Sequence, residues 1–293
     1  MVSIIIINYN TFALTCDCIA SVIAHTKGVP YEIILVDNAS TECNPDLFHT
    51  RFPTIHLIKS NRNLGFAGGN NLGIQTAKGE FILLLNSDTL LKEDAISIAA
   101  EIMAAKPNLG ALGVRMEYPD GALQHTARKF RSISWELLDL LRFIPLLMPY
   151  DVRAKKMLGK YFKADMDVYC DWLNGAFFML RKDVIQKMPG GKLDERFFMY
   201  GEDHLWGWHI HQLGYQSYFT ARARIVHINS GSTKPEKQLQ LIPIMFRNEL
   251  AIMRIRKGKG LYYLCFLFLY GAKEWSRYFI KRIVFSLTGK KIR

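Results

Sequence analysis

The chain has 293 residues, of which 49% are hydrophobic and 22% charged, and this composition excludes a disordered or fibrous protein. A chain of this length can bury a full core without a disulfide or a structural metal. The formal net charge is +12, and residues 254–293 carry eleven Lys and Arg but a single acid, Glu274. The body is therefore nearly neutral with a basic C-terminal end, which does not fit a protein that wraps nucleic acid.

The five cysteines form no Cys-x-x-Cys pair and show no zinc-site spacing, so we expect reduced thiols in a cytoplasmic protein. The apolar run at the N-terminus is interrupted by Asn8 and has no basic segment before it, so it is expected to be a buried strand and not a signal peptide. The longest apolar stretch, residues 261–272, is shorter than the ~20 residues that cross a bilayer.

Apolar runs alternate with helical patterns over the first 120 residues. Such alternation with short links is typical of an α/β fold with a parallel sheet. Ligands in such sheets bind at the carboxyl ends of the strands. The predicted strands are residues 2–7, 32–36, 54–59, 81–85 and 109–116, and the predicted helices are residues 13–25, 93–105 and a segment that follows the glycine-rich residues 63–71 and ends near 78.

The pattern changes after about residue 120. Residues 134–148 have an apolar helical pattern interrupted by Pro145, and the lysine-bearing residues 153–163 are predicted to be an exposed linker or flap. Further strands are predicted at 172–180, 217–219 and 225–228, with a helix at 204–213. The chain from residue 236 onward is predicted to be mostly helical.

Four features could carry chemistry, and each has a plainer structural interpretation. Asp88, at the end of a buried strand, suits a metal or phosphate site, but it could equally cap a following helix. The pair Glu202-Asp203 follows an aromatic run and suits acid–base chemistry, or it simply opens a helix. His227 could ligate a metal, although a lone histidine in an apolar strand is usually structural. Residues 63–71 could cradle a phosphate or form a glycine-rich turn.

The order and spacing of these features are more specific than any one of them. In this arrangement the chain resembles the inverting nucleotide-sugar glycosyltransferases of family 2, in particular the branch with bacterial rhamnosyltransferases. The resemblance covers roughly residues 2–233. The stretches that carry it are VSIIIINYN, ILVDNAST, NLGFAGGNNLGI, LLLNSDTLL, GALQHTARKF, WLNGAFFMLRKDV, FFMYGEDHLWGWHIHQLGY and IVHINSGST.

The resemblance implies a GT-A fold, with a Rossmann-like, mostly parallel central sheet flanked by helices. Residues 1–235 would form the glycosyltransferase domain. Within it, residues 1–120 would bind the nucleotide sugar and residues 121–235 the acceptor. Residues 236–293, which no family motif covers, are predicted to be a helical, basic and amphipathic extension.

The resemblance also implies a role for each matching residue. The base that takes the acceptor proton would be Asp203, and Asp88 and His227 would hold Mg²⁺ or Mn²⁺. Asn86 stands where the family's Asp-x-Asp motif has its first acid. The acceptor-binding residues would be Glu202, Trp172, Asn174 and Gly175, and the nucleotide-sugar-binding residues would be Ile7, Tyr9, Asp37, Asn38, Asn63, Gly68, Asn71, Asn86, Ser87 and Asp88.

The implied activity is metal-dependent, inverting transfer of rhamnose or another deoxysugar from a nucleoside-diphosphate donor to a glycan or lipid-linked acceptor in bacterial surface polysaccharide synthesis. Relatives often carry an acid and an Arg in the helix after Glu-Asp, where this chain has residues 204–209, and this departure leaves the acceptor open. Two alternatives are a sugar nucleotidyltransferase and a nucleic-acid-binding protein. The first lacks its basic glycine-rich loop after strand one, and the second lacks a reader motif.

The basic tail predicts attachment to the cytoplasmic face of the cell membrane. On a helix, Lys273, Arg277 and Lys281 would share one face and Trp275 and Phe279 another, which is the composition of an interfacial helix on anionic lipid. Packing on the body of the protein or at a homodimer interface remains an alternative.

Overall fold

A computed structural model describes residues 1–228 and 235–288. Within these residues, ten strands form one sheet with helices on both faces. Along the chain the elements are β1 (Val2–Asn8), α1 (Phe12–His25), β2 (Tyr31–Asp37), α2 (Asp46–Arg51), β3 (His56–Lys59), α3 (Gly65–Thr76), β4 (Phe81–Asn86), β5 (Thr89–Leu91), α4 (Ala95–Ala105), β6 (Leu109–Glu117), β7 (Leu123–Gln124), α5 (Ile133–Leu140), α6 (Phe143–Leu147), α7 (Tyr150–Met157), β8 (Val168–Cys170), β9 (Phe177–Arg181), α8 (Lys182–Lys187), α9 (Glu202–Gln212), β10 (Gln216–His227), α10 (Pro235–Lys257) and α11 (Leu261–Thr288).

The strand order is β3-β2-β1-β4-β9-β6-β10-β5, with β7 beside β6 and β8 beside β10. The first four strands of this order are parallel, as the sequence predicts, and β6 and β10 are parallel to each other. Strand β9 lies antiparallel between β4 and β6. The predicted α/β sheet is confirmed, and the antiparallel strands make it a mixed one.

Strand β1 shows why its sequence is a continuous run of isoleucines. Ile4 and Ile6 face a core under α1 and α4, while Ile5 faces a second core under α3 and α9. Because both faces of the strand are covered, every position from Ile4 to Ile7 is apolar, and the alternation of a half-exposed strand is missing.

The glycine-rich residues 63–71 are not the predicted loop before a helix, because α3 already begins at Gly65. The glycines let this helix lie close to β1. A Cβ atom at Gly69 would lie 3.0 Å from Ile7, and one at Gly73 would lie 2.6 Å from Ile5. Close helix–strand packing therefore explains these glycines.

Three further predictions for the second half of the chain need correction. The predicted strand 172–180 begins only at Phe177, and the strands predicted at 217–219 and 225–228 are one strand, β10, with an irregularity between Thr220 and Arg224. Residues 153–163 are not an exposed flap. Their apolar members Ala154, Leu158 and Phe162 are buried in the core beside β10 because they form the inner face of α7 and the turn after it.

The C-terminal helices pack against the body of the protein. Met253 of α10 and Phe266 and Tyr270 of α11 form a small core with Ile133 at the start of α5. Lys273 is 7% exposed and contacts the carboxylates of Glu136 and Asp139.

Arg277 also binds Asp139, at 3.0 Å. The predicted lipid-facing basic face is therefore wrong for Lys273 and Arg277, which are drawn inward by two acids of α5. None of the helices in the described part of the chain is long and apolar enough to cross a membrane. Residues 229–233 of the last family motif and the basic residues at 290, 291 and 293 lie outside the described residues.

Candidate active site

Most of the predicted site residues meet at one edge of the sheet. The parallel strands β1, β2 and β4 end there at Asn8, Asp37 and Asn86. Because β9 is antiparallel to β4, the loop before β9 lies at the same edge, and the end of β10 brings His227 opposite Thr89. The fold thus collects polar side chains from chain segments up to 219 residues apart.

The ends of β1 and β2 are joined by a buried polar network. The Asn8 amide donates to Asp37 Oδ1 at 2.8 Å and to Ser40 Oγ at 2.9 Å, and Ser40 N donates to Asp37 Oδ2 at 3.1 Å. These bonds hold the Asp37 carboxylate in a fixed position at the strand end. Tyr9, next along the chain, is half-exposed, so its ring is accessible to a ligand.

The start of α3 is tied to the end of β2. The Asn38 amide donates to Asn63 Oδ1 at 3.0 Å and to the Gly65 carbonyl at 3.2 Å, and Asn38 Oδ1 accepts from Leu64 N at 3.0 Å. These bonds place Asn38 and Asn63 beside the helix start, and their role in binding a nucleotide stays a prediction.

Asn71 and Gly68 are not at this site. The Asn71 amide donates to the Leu193 carbonyl at 2.8 Å and to Glu195 at 2.7 Å, and its oxygen accepts from Leu193 N. Asn71 is buried, and all of these bonds go to the loop 193–195, more than 120 residues later in the chain. A role of Asn71 in nucleotide binding is therefore not supported. Gly68 is buried inside α3, where its missing Cβ makes room for Leu64.

Asp88 does not cap a helix, which removes the structural alternative for this residue. It is followed by β5, and the next helix is capped by Asp94, whose carboxylate accepts from Ser97 N. Asp88 Oδ1 lies 3.2 Å from His227 Nε2, so the two predicted metal ligands are adjacent. The Asn86 amide lies 3.4 Å from the same nitrogen.

Gln124 sets the tautomer of His227. The Gln124 amide donates to the His227 carbonyl, so its oxygen must be the atom that accepts from His227 Nδ1 at 2.8 Å. A neutral His227 then carries its proton on Nδ1 and presents the lone pair of Nε2 toward Asp88. A lone pair and a carboxylate that face each other suit a cation between them, and a second bond on the other ring nitrogen is usual for metal-ligating histidines.

The donor set fits a hard or borderline divalent ion with few protein ligands. Within residues 1–228 and 235–288, no group of three or more His, Cys, Asp and Glu side chains is placed to hold a metal. A metal at Asp88 and His227 would need oxygen atoms from a substrate, as Mg²⁺ commonly does with phosphates.

Asp203 lies in the first turn of α9 and is partly exposed. Its Oδ2 accepts from Gly175 N at 3.2 Å and its Oδ1 from His204 N at 2.8 Å. Ala176 follows Gly175 in the chain, and its carbonyl accepts from Asn86 N at 3.0 Å. One short loop therefore connects the Glu202-Asp203 pair with the Asp88–His227 pair.

The pKa values of both acids of the pair are raised. Burial is the main cause for Glu202, and the charge of Asp203 adds to it. Burial also raises the pKa of Asp203, against the opposing effect of its bonds to backbone N–H groups. Among residues 1–228 and 235–288, no hydrogen-bond partner is placed on Glu202 Oε2.

Helix α10 holds this pair in place, which the sequence did not reveal. The Asn248 amide donates to the carbonyls of Met199 and Tyr200, at 3.2 and 2.6 Å, in the turn before Glu202. Glu249 Oε2 lies 3.1 Å from His204 Nδ1, and the pKa of Glu249 is lowered to about 2 because His204 and Arg131 outweigh the effect of burial.

Trp172 forms the wall beside Asp203. Its ring stacks on His204 at 4.9 Å, and Arg128 lies over the ring at 5.9 Å. A Cβ atom at Gly207 would lie 2.5 Å from Trp172 Cβ, so this glycine lets α9 approach the wall. Asn174, whose oxygen accepts from Ala176 N, shapes the turn between Trp172 and β9.

Comparisons with known proteins show the family and the fold of this chain. The model of Glycosyl transferase family 2 matches residues 3–188. The N-acetylglucosaminyl-diphospho-decaprenol L-rhamnosyltransferase of Mycobacterium tuberculosis is 26% identical over 220 residues, which cover 70% of this chain and 68% of that protein. The O-antigen biosynthesis protein RfbC of Myxococcus xanthus is 24% identical over 222 residues, which cover 74% of this chain but 16% of that protein.

Among solved structures, the mannosyltransferase PcManGT from Pyrobaculum calidifontis, in complex with GDP-Man and Mn²⁺, superposes with a TM-score of 0.61. It is 16% identical, and the match covers 99% of this chain and 76% of that one. The match confirms the GT-A fold. With the family model covering residues 3–188, which include the ends of β1, β2 and β4, the chain belongs to glycosyltransferase family 2.

Proposed function

We propose that this glycosyltransferase is inverting and metal-dependent, and that it transfers rhamnose or another deoxysugar from a nucleoside-diphosphate donor to a lipid-linked or glycan acceptor in bacterial surface polysaccharide synthesis. The observation that carries the proposal is the loop 174–176, which joins the Asp203 carboxylate to the strand end beside Asp88 and His227. The family match favours this activity over nucleotidyl transfer and nucleic-acid binding.

The proposed mechanism assigns the acceptor proton to Asp203. An attacking hydroxyl must lose its proton, and a carboxylate with a raised pKa takes it more readily than an ordinary one. The bond from Gly175 N to Oδ2 orients the carboxylate. With a single base and one displacement, the anomeric configuration of the sugar inverts.

The leaving nucleoside diphosphate would be bound on the other side of the loop. Asp88 and the Nε2 atom of His227 would hold Mg²⁺ or Mn²⁺, and Gln124, which accepts from Nδ1, would orient the ring with Nε2 toward the ion. When bound, the metal supplies positive charge that offsets the charge on the departing phosphate. Asp37, fixed by Asn8, would bind the nucleoside, with Ile7, Tyr9, Asn38, Asn63, Asn86 and Ser87 around it.

The sugar and the acceptor class rest on relatives. The M. tuberculosis relative is named as an L-rhamnosyltransferase acting on N-acetylglucosaminyl-diphospho-decaprenol, and the M. xanthus relative as an O-antigen biosynthesis protein. Trp172, Asn174, Gly175 and Glu202 would form the acceptor side of the site.

The test is nucleotide release by the purified chain from a panel of nucleotide sugars, with Mn²⁺ or with excess chelator, followed by NMR of the product's anomeric centre. We expect release from one deoxysugar donor, loss of release in chelator, and inversion. Asp88→Ala and His227→Ala should both weaken Mn²⁺ dependence and donor binding. Full activity in chelator contradicts the metal, and retention of configuration contradicts the single displacement.

A further inference from the structure

An apolar surface lies outside the active site, on helix α11. Helix α11 spans 28 residues, or about 42 Å, and one of its faces packs on α5 and α10. The opposite face is exposed and apolar over almost its whole length. Its large side chains are Leu261, Leu264, Phe268, Trp275, Phe279 and Ile283.

Helix α6 carries a second group of exposed apolar side chains. Phe143, Leu146 and Leu147 are all more than half exposed, and Leu147, at 83%, is the most exposed large apolar side chain in the described residues. Pro145 and Pro149 keep this helix short, so the leucines form a tip.

The two groups belong to neighbouring elements. Asp139, near the end of α5, binds Lys273 and Arg277 in the middle of α11, and α6 begins four residues after Asp139. Together the exposed residues of α6 and α11 form what we name the apolar face. Large apolar side chains exposed in this number are rare on a protein that has no partner for them.

The charges beside the apolar face are mainly positive. Residues 141–163 contain six Lys and Arg and one acid, Asp151, and Lys155 and Lys156 of α7 are exposed. Arg282 is exposed next to Ile283. The acids of α5, Glu136 and Asp139, are buried and already paired with Lys273.

We propose that the apolar face docks on an anionic bilayer, with α11 lying along the surface and Leu146 and Leu147 inserted at the acyl boundary. Two copies with basic rims would repel each other, whereas anionic headgroups attract such a rim, and this charge complementarity favours lipid over a second copy. Tryptophan at the edge of the face, here Trp275, is a preferred interfacial residue. The proposal goes beyond the proposed function and does not depend on it.

The test is flotation of the full-length protein with phosphatidylglycerol vesicles and with neutral phosphatidylcholine vesicles, at low and high salt. We expect flotation with the anionic vesicles, weakened by salt. Leu147→Glu and Phe268→Glu should each lower the lipid-bound to free ratio about tenfold or more, because each places a charge in the apolar boundary. Leu47→Glu, which changes a half-exposed leucine of α2, is the matched control and should float like the wild type.

Thermal unfolding and nucleotide release without lipid should be the same in all four proteins, which separates this proposal from the proposed function. Wild-type protein that stays with neither vesicle overturns the proposal, and so does a Leu147→Glu variant that floats like the control. A dimer in light scattering that Phe268→Glu abolishes, without flotation of the wild type, assigns the apolar face to a second copy and also overturns it.

Discussion

Replacing Lys273 by methionine tests whether the C-terminal helices are an integral part of the fold. The Lys273 ammonium group lies between Glu136 and Asp139, which are 0% and 1% exposed. Breaking a buried ion pair costs about 3–5 kcal/mol when the remaining charge has no other partner. Here Glu136 keeps Arg131 at 2.6 Å and Asp139 keeps Arg277 at 3.0 Å, so we expect a smaller loss of about 2–3 kcal/mol.

The assay is urea and thermal unfolding followed by circular dichroism. The expected loss corresponds to a midpoint lower by roughly 4–10 °C. Lys281→Met, at a partly exposed lysine of the same helix, is the control and should cost little. A loss below about 1 kcal/mol in Lys273→Met would refute the reasoning.

The pH dependence of this loss has a definite sign. Burial alone would raise the pKa of Asp139, but its bond to Lys160 and the charge of Lys273 hold that pKa below its usual value. A carboxyl with a lowered folded-state pKa contributes stability above its unfolded-state pKa and loses it as the pH falls through the folded value. The difference between wild type and Lys273→Met should therefore be largest near neutral pH and shrink in strong acid.

Three substitutions and one pH profile test the site and its packing. Asp203→Asn should lower kcat about 100-fold or more while donor binding stays intact. The control Asp183→Asn, in the first turn of α8, should leave kcat unchanged. If Asp203→Asn keeps the turnover of the wild type, Asp203 only stabilises the start of its helix. Because the pKa of Asp203 is raised, the rate should climb with pH to a midpoint above the ~3.9 of a free aspartate, and a rate already constant at that pH contradicts the assignment. Gln124→Ala removes the partner of His227 Nδ1 and should weaken Mn²⁺ binding in the presence of nucleoside diphosphate by about tenfold or more, measured by calorimetry. An unchanged affinity for Mn²⁺ would show that His227 needs no orienting partner. Gly207→Ala should lower the free energy of unfolding in urea by about 1–3 kcal/mol, because the added Cβ would meet Trp172. The control Gly260→Ala, whose Cβ would lie in open space, should leave it unchanged. Equal urea midpoints for the two variants would contradict the packing of Gly207 on Trp172.

Much of the sheet could be predicted because its strands are buried on both faces. The continuous apolar runs at β1 and β4 have no other simple interpretation, and polar residues directly after them identify the ligand edge. The same reasoning placed Asp88 at this edge, and the structure shows β5 where a helix cap was the alternative. Asp94, six residues later, is the actual cap.

The remaining features depend on contacts that no local pattern records. Gln124 and His227 are 103 residues apart and meet only because β7 and β10 flank the same strand. Asn248 and Glu249 lie in a helix that no family motif covers, and only the packing of α10 brings them to the turn before Glu202. The bonds of Asn71 to Leu193, 122 residues later, are likewise made by tertiary packing that no local pattern records.

The position of α10 and α11 in the chain also bears on synthesis. The proposed base, Asp203, leaves the ribosome well before Glu249 and Lys273, which contact its neighbour His204 and the acids of α5. Since chains fold progressively from the N-terminus during translation, the nascent protein can form its sheet while Glu136 and Asp139 still lack the lysine between them. The proposed acceptor side is therefore completed only after α10 has been made, and a chain that stops short of α10 should bind nucleotide without transferring a sugar.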